Sequence, residues 1–131
     1  MRKFDSSSAQ STTVGPVDVA RWEQYGLGSA MPFDAMWYSV MAGQSSARDC
    51  HPELELSIVV SGTASVEAGG SITDVSAGSA FLFDSEEAHI IHNRQDVPVT
   101  IFSAYWMPIN TSGTDPLEAG PAERPTESAD G

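Results

Sequence analysis

Asp49-Cys50-His51-Pro52-Glu53-Leu54-Glu55 runs directly into Leu56-Ser57-Ile58-Val59-Val60 before Ser61-Gly62 closes the stretch. Leu54 to Val60 is rich in β-branched and bulky residues and reads as a strand bounded by a turn. Successive strand residues point to opposite faces. Carried back through an extended Asp49–Glu55, that alternation predicts Asp49, His51, Glu53 and Glu55 on one face, with Cys50, Pro52 and Leu54 on the other. Unpaired carboxylates on an interior face cost on the order of several kcal/mol each, even after relaxation. A divalent cation offsets that cost, because imidazole nitrogen and carboxylate oxygen both serve as its ligands. The partner stretch is Ala88-His89-Ile90-Ile91-His92-Asn93, where His89 arrives 38 positions after His51.

The same period runs through the rest of the chain. Met36–Met41 is a β-favouring run that ends at Ala42-Gly43. Ala64–Ala68 and Ser71–Val75 flank Gly69-Gly70, a loop that tolerates the positive φ of a primed hairpin turn. Ala80–Phe83 follows Gly78, His89–Ile91 leads to the polar turn Asn93–Asp96, and Val99–Met107 ends at Pro108. Seven such segments, with turns every 8 to 12 residues or so, predict an all-β fold, an antiparallel sandwich or small barrel. Val17–Tyr25 is expected to form a short N-terminal helix stopped by Gly26. Residues 5–14 carry almost nothing to bury, and residues 1–14 are expected to be flexible, with the barrel over 15–108. Residues 109–131 are expected to be a disordered acidic tail, since Leu117 is the one sizeable apolar group from Asn110 onward.

Net charge is −12, from 18 acids against 6 bases over 131 residues. That balance argues against a nucleic-acid backbone or an anionic membrane surface as partner. Cys50 is the single cysteine, so no intramolecular disulfide forms, which suits a reducing cytoplasm. Met1-Arg2-Lys3-Phe4-Asp5 is followed by serines rather than an apolar run, unlike a secretory signal. No stretch approaches the roughly 20 apolar residues of a membrane helix. A soluble, cytoplasmic protein is expected.

The spacing of the motif residues narrows the fold further. Gly43, five residues, Asp49-Cys50-His51, three residues, Glu55, six residues and Gly62 form one block. Gly78, five residues, Asp84-Ser85-Glu86, two residues, His89, three residues and Asn93 form another, with 15 residues between Gly62 and Gly78. This pattern resembles the two motifs of the cupins, whose first block carries His-x-His and Glu between glycines and whose second carries Pro-x-Gly, His and Asn. The resemblance covers Met36 to Met107, and the short separation of the blocks resembles small single-domain bacterial members. It implies a cupin-type antiparallel β-barrel, or jelly roll, that holds a divalent metal ion. Residue by residue, the implied ligands are His51, Glu55 and His89, with Asp49 standing where the family has its first histidine. Asp84 and Glu86 stand where it has Pro and Gly, a change that bears on loop stiffness more than on chemistry. Two imidazoles and a carboxylate with open positions suit Fe(II), with Mn, Zn and Ni as alternatives. Asp49 makes the site harder and more anionic if it binds, and is free to act as a base if it does not.

The family implies a metal-dependent enzyme acting on a small-molecule substrate, in a tailoring step of bacterial specialised metabolism: oxygenation, isomerisation, dehydration or lyase chemistry, or cyclisation. The alternative is a non-catalytic module that binds or senses a small molecule, since one fold hosts many functions. Glu53 or Asp49 is expected to move a proton. Tyr38 and Trp106 are expected to line the pocket, Tyr38 with a catalytic part. Exposed strand edges and the family habit favour a homodimer.

Each of these residues also has a plain structural reading. His51 and His89 serve as structural residues in a barrel without metal, Asp49 as a turn cap, and Glu53 as a solvated loop acid. Cys50, off parity, is expected to be a buried, inert thiol. His92, off parity with His89, is expected to face outward into solvent, and Asn93 to satisfy backbone groups in its turn. Asp84-Ser85-Glu86-Glu87 is a solvated turn, or else an acidic rim drawing an amine-bearing substrate.

Overall fold

The computed structural model describes residues 1–109. Its strands are β1 (Thr12–Val14), β2 (Val17–Arg21), β3 (Asp34–Val40), β4 (Leu54–Ser61), β5 (Thr63–Ala68), β6 (Ser71–Ser76), β7 (Ala80–Phe83), β8 (His89–His92) and β9 (Val99–Trp106). A six-stranded sheet, in the order β1-β2-β3-β9-β4-β7, packs over a three-stranded sheet, β6-β5-β8. Every pairing is antiparallel. The inner faces meet around Tyr38, Val40, Val59, Val66, Phe83, Ile91, Val99 and Ile101. This is the all-β jelly roll expected from the sequence. Strands β3 to β9 are the seven anticipated segments, their ends moved by two residues or fewer. Ala68 pairs with Ser71 across Gly69-Gly70, whose φ values of 59° and 78° fit a primed turn.

The N-terminal expectations need correction. Val17–Arg21 is a strand, and only Trp22–Tyr25 coils, as a four-residue 3-10 turn. As a strand, Val17–Arg21 pairs on both sides, with β1 and β3, which an isolated nine-residue helix does not match. Residues 1–14, expected to be flexible, hold a 3-10 turn at Ser6–Ser8 and strand β1. The anchor is Phe4, stacked on Tyr25 at 4.3 Å between ring centres and packed on Trp22 at 5.3 Å. Trp22 in turn contacts Trp37 and Phe102, so an aromatic cluster ties the N-terminus to the outer face of the large sheet. The tail expected at the other end lies, from residue 110, outside the described residues. No helix among the described residues is long and apolar enough to cross a membrane.

Strand register stacks the inward side chains in layers. Val17, Val40 and Val99 lie level, followed by Val19, Tyr38, Ile101 and Val59. Arg21, Met36, Ser103 and Ser57 form the next layer, and Asp34, Tyr105 and Glu55 the last. Apolar layers thus fill one end of the barrel, and polar groups collect toward the other.

Candidate metal centre

Strand β4 begins only at Leu54, so Asp49–Glu53 is not the extended segment that alternation assumed. Asp49 instead forms an isolated bridge to His89, each backbone N–H donating to the other's carbonyl at 2.9 Å. Pro52, with its fixed φ and missing donor, suits the bend that follows. The bend, not strand parity, gathers Asp49, His51 and Glu55 against His89. Glu53 is left out, since its carboxylate lies 3.6 Å from His51 Nδ1, on the far side of that ring.

The two rings are held in one tautomer. His51 Nδ1 lies 3.0 Å from the Glu53 carbonyl and His89 Nδ1 2.8 Å from the Glu87 carbonyl. A carbonyl oxygen only accepts, so each Nδ1 carries a hydrogen and each Nε2 is left for the centre. Phe83 fixes the plane of His89 by parallel stacking, 3.8 Å between centres and 4° between planes. His51 Nε2 then faces Glu55 Oε1 at 3.0 Å, one acceptor against another. His89 Nε2 lies 3.9 Å from Glu55 Oε1, and Asp49 Oδ2 lies 3.9 Å and 4.0 Å from the two Nε2 atoms. Donor atoms of Asp49, His51 and His89 all fall within 4.8 Å of one another.

Either a proton or a cation must sit between those acceptors. Burial opposes a charged His51, but the bond to Glu55 and the charges of Glu55 and Asp49 outweigh it, lifting the imidazole above its ordinary 6.5. The donor set equally fits a divalent cation. Ligand bonds of about 2.0–2.2 Å at near-right angles separate neighbouring donors by roughly 3 Å, as found for His51 and Glu55. The separations near 4 Å are too long for hydrogen bonds and leave a gap among the donor atoms of Asp49, His51 and His89, with Glu55 Oε1 beside the two imidazoles.

Buried hydroxyls position the carboxylate. Glu55 is 4% exposed, and its Oε2 accepts from Ser103 Oγ at 2.8 Å and Ser57 Oγ at 3.5 Å. That leaves Oε1 for the centre. Tyr38 lies beside them, and burial, helped by the Glu55 charge, pushes its phenol well above the usual tyrosine range. It is therefore a neutral donor and not a base.

A cavity of about 310 Å³ opens onto the centre, walled by Tyr38, Asp49, Glu55 and His89 together with Val14, Val17, Val19, Met36 and Ile91. Arg21 and Arg48 complete it, with Ser46 and Ala47. Trp106 and Glu53 are not part of this wall, contrary to expectation for Trp106. Sequence reasoning also missed Ser57, Ser103 and both arginines. The serines carried a signal, being polar residues at core-facing positions of strands whose neighbours on that face are apolar or catalytic in type. The arginines carried none, since the sequence around Arg21 looks helical and Arg48 falls in a loop.

Three further expectations resolve as follows. Cys50 is exposed, its Sγ 3.4 Å from the Glu86 carbonyl, because the unextended chain has no buried opposite face there. His92 does point away from the core, but it is bridged rather than free, to Ser45 Oγ at 2.6 Å and Glu67 Oε1 at 2.9 Å. Asn93 satisfies the backbone as expected, its Nδ2 donating to the carbonyls of Val40 and Val97 and its Oδ1 accepting from Gln95 N–H.

Comparison with known proteins agrees with this architecture. The sequence pattern of the cupin domain matches residues 36–105. A protein of Photorhabdus luminescens is 24% identical, superposes with a TM-score of 0.69, and shares 81% of this chain and 86% of its own. A Thermotoga maritima protein described as a predicted oxalate decarboxylase is 17% identical, with a TM-score of 0.70 over 82% of this chain and all of its own, 100%. The polyketide cyclase RemF of Streptomyces resistomycificus is 15% identical, with a TM-score of 0.68 over 80% and 79% of the two chains. At such identities the likeness establishes the fold alone. With the matched pattern spanning more than half of its length, the chain belongs to the cupin domain family.

Proposed function

We propose that this protein is a metal-dependent cytoplasmic enzyme acting on a small molecule in the barrel cavity. His51, His89 and Glu55 serve as ligands, with Asp49 at the fourth position. The observation that carries the reading is the pair of acceptors, His51 Nε2 and Glu55 Oε1, facing each other at 3.0 Å with both imidazole Nδ1–H groups committed elsewhere. Two imidazoles and a carboxylate favour Fe(II), with Mn, Zn and Ni as alternatives. When bound, such a cation polarises a substrate oxygen or activates dioxygen.

The chain's own residues supply the rest. Asp49, with its side chain 64% exposed, moves a proton through its carboxylate where it is not itself a ligand. Glu53, turned away from the cavity, is not assigned that role. Tyr38, kept neutral, donates a hydrogen bond to a substrate oxygen. Val17, Val19, Met36 and Ile91 exclude water from the reacting group. A tailoring step in bacterial specialised metabolism is supported by the fold-level likeness to a polyketide cyclase, an argument by analogy.

Incubation of the Fe, Mn, Zn and Ni forms with metabolites encoded by neighbouring genes, read by mass spectrometry, tests the reading. A product that forms in one metal form and is absent without metal supports it. A ligand that binds tightly yet is returned unchanged by every form points to a sensing module instead.

A further inference from the structure

We propose that the cavity is built for a small carboxylate with an apolar body, its carboxylate gripped by the guanidinium groups of Arg21 and Arg48. The proposal rests on the reading above in that it names the substrate class of the same site. Among the described residues the cationic side chains of lysine and arginine are Arg2, Lys3, Arg21, Arg48 and Arg94. Two of these five wall a single cavity, in a chain whose net charge is −12. Among the described residues neither of them forms an ion pair, so both guanidinium groups are open to a ligand. Arg21 spends one donor on Tyr105, Nη1 to Oη at 3.1 Å, which props the guanidinium at the polar end of the barrel. Most of its five N–H donors remain unused.

The charge of the wall points the same way. Its ionisable members are Arg21, Tyr38, Arg48, Asp49, Glu55 and His89. Its two arginines balance its two acids, so the wall is far less acidic than the chain as a whole. A guanidinium fork matches a carboxylate with two parallel hydrogen bonds. Phosphate fits less well, because none of the helical turns among the described residues contributes to the wall, which therefore lacks the helix N-terminus that commonly binds it. Val14, Val17, Val19, Met36 and Ile91 provide an apolar bed, and about 310 Å³ lies at the small end of ligand pockets.

Arg21 and the three valines come from β1 and β2, which lie N-terminal to the matched region 36–105. Arg48 also borders a smaller cavity beside Glu67 and Glu87, so its part is tested separately.

Calorimetric titration of the full chain, metal-free and Zn-loaded, with benzoate, phenylacetate, benzamide and benzylamine decides the matter. The carboxylates are expected to bind, and benzamide, their neutral counterpart, to bind roughly ten- to a hundredfold more weakly. R21Q and R48Q are each expected to lose a similar factor for benzoate while keeping native circular dichroism and full zinc content. Benzamide or benzylamine binding as tightly as benzoate overturns the proposal, as does benzoate binding that survives both variants, or no carboxylate binding at millimolar concentration. Carboxylate selectivity in a protein that takes up no metal would instead sink the metal reading and leave this one standing.

Discussion

Ser103 donates to Glu55 Oε2 at 2.8 Å and contacts Ser57 Oγ at 2.7 Å, so one carboxylate oxygen is pinned while the other reaches the imidazoles. Removing such a supporting bond typically weakens metal binding by about 10- to 100-fold. Ser103→Ala is expected to do so in a chelator competition, at a stability cost of about 1 kcal/mol in urea. Tyr38 offers a pH test. Its phenol is raised above the ordinary value of 10.0, chiefly by burial, so the stability it contributes is intact below pH 10.0 and is lost as the pH climbs past it. Tyr38→Phe is expected to unfold less readily in alkali than the native chain, by circular dichroism across that range, and identical alkaline curves would contradict this. At this scale His51, Glu55 and His89 were legible because their spacing is a motif, whereas Cys50 was misplaced because a single bend at Pro52 cancels strand parity.

Two backbone positions show how the elements carry strain. Gly62, closing β4, has φ of 85°, and a Cβ there would meet the Pro98 carbonyl at 2.8 Å and Val99 Cα at 2.9 Å. Gly62→Ala should therefore cost clearly more than about 1 kcal/mol. Glu86 occupies the same left-handed region, φ 63°, where the family motif has glycine, and its N–H is tied to the His51 carbonyl at 2.7 Å. Relief of left-handed strain, about 1–2 kcal/mol, outweighs the extra chain entropy of glycine. Glu86→Gly is thus expected to stabilise by up to about 1 kcal/mol in denaturant titration, while leaving the hydrogen bond to His51 in place. Most strands were legible because alternation and turn residues agree along β3 to β9. Strand β2 was not, since Val17-Asp18-Val19 carries period two for too few residues to outweigh the helical look of Ala20-Arg21-Trp22-Glu23. What settles it is pairing on both sides, which no local window contains.

For the whole molecule, the outer face of β4 and β7 leaves Ile58, Val60 and Leu82 exposed at 38%, 44% and 49%, beside the edge strand β7. We propose that a second copy covers this face. Leu82→Asp should convert a dimer to a monomer in light scattering without changing metal uptake, and a native chain that is already monomeric would refute it. The barrel was legible in the sequence because motif spacing and strand period point to one topology. The cavity's cationic wall was not, because it forms only when distant segments, β2 and the loop before Asp49, are folded together. The most direct test of the central claim is elemental analysis of protein purified without chelator, as the native chain, His51→Ala and His89→Ala, each checked for native circular dichroism. About one divalent ion per native chain, absent from both folded variants, is the predicted result. A native chain that carries no metal and takes up none of Fe, Mn, Zn, Ni or Co would contradict it.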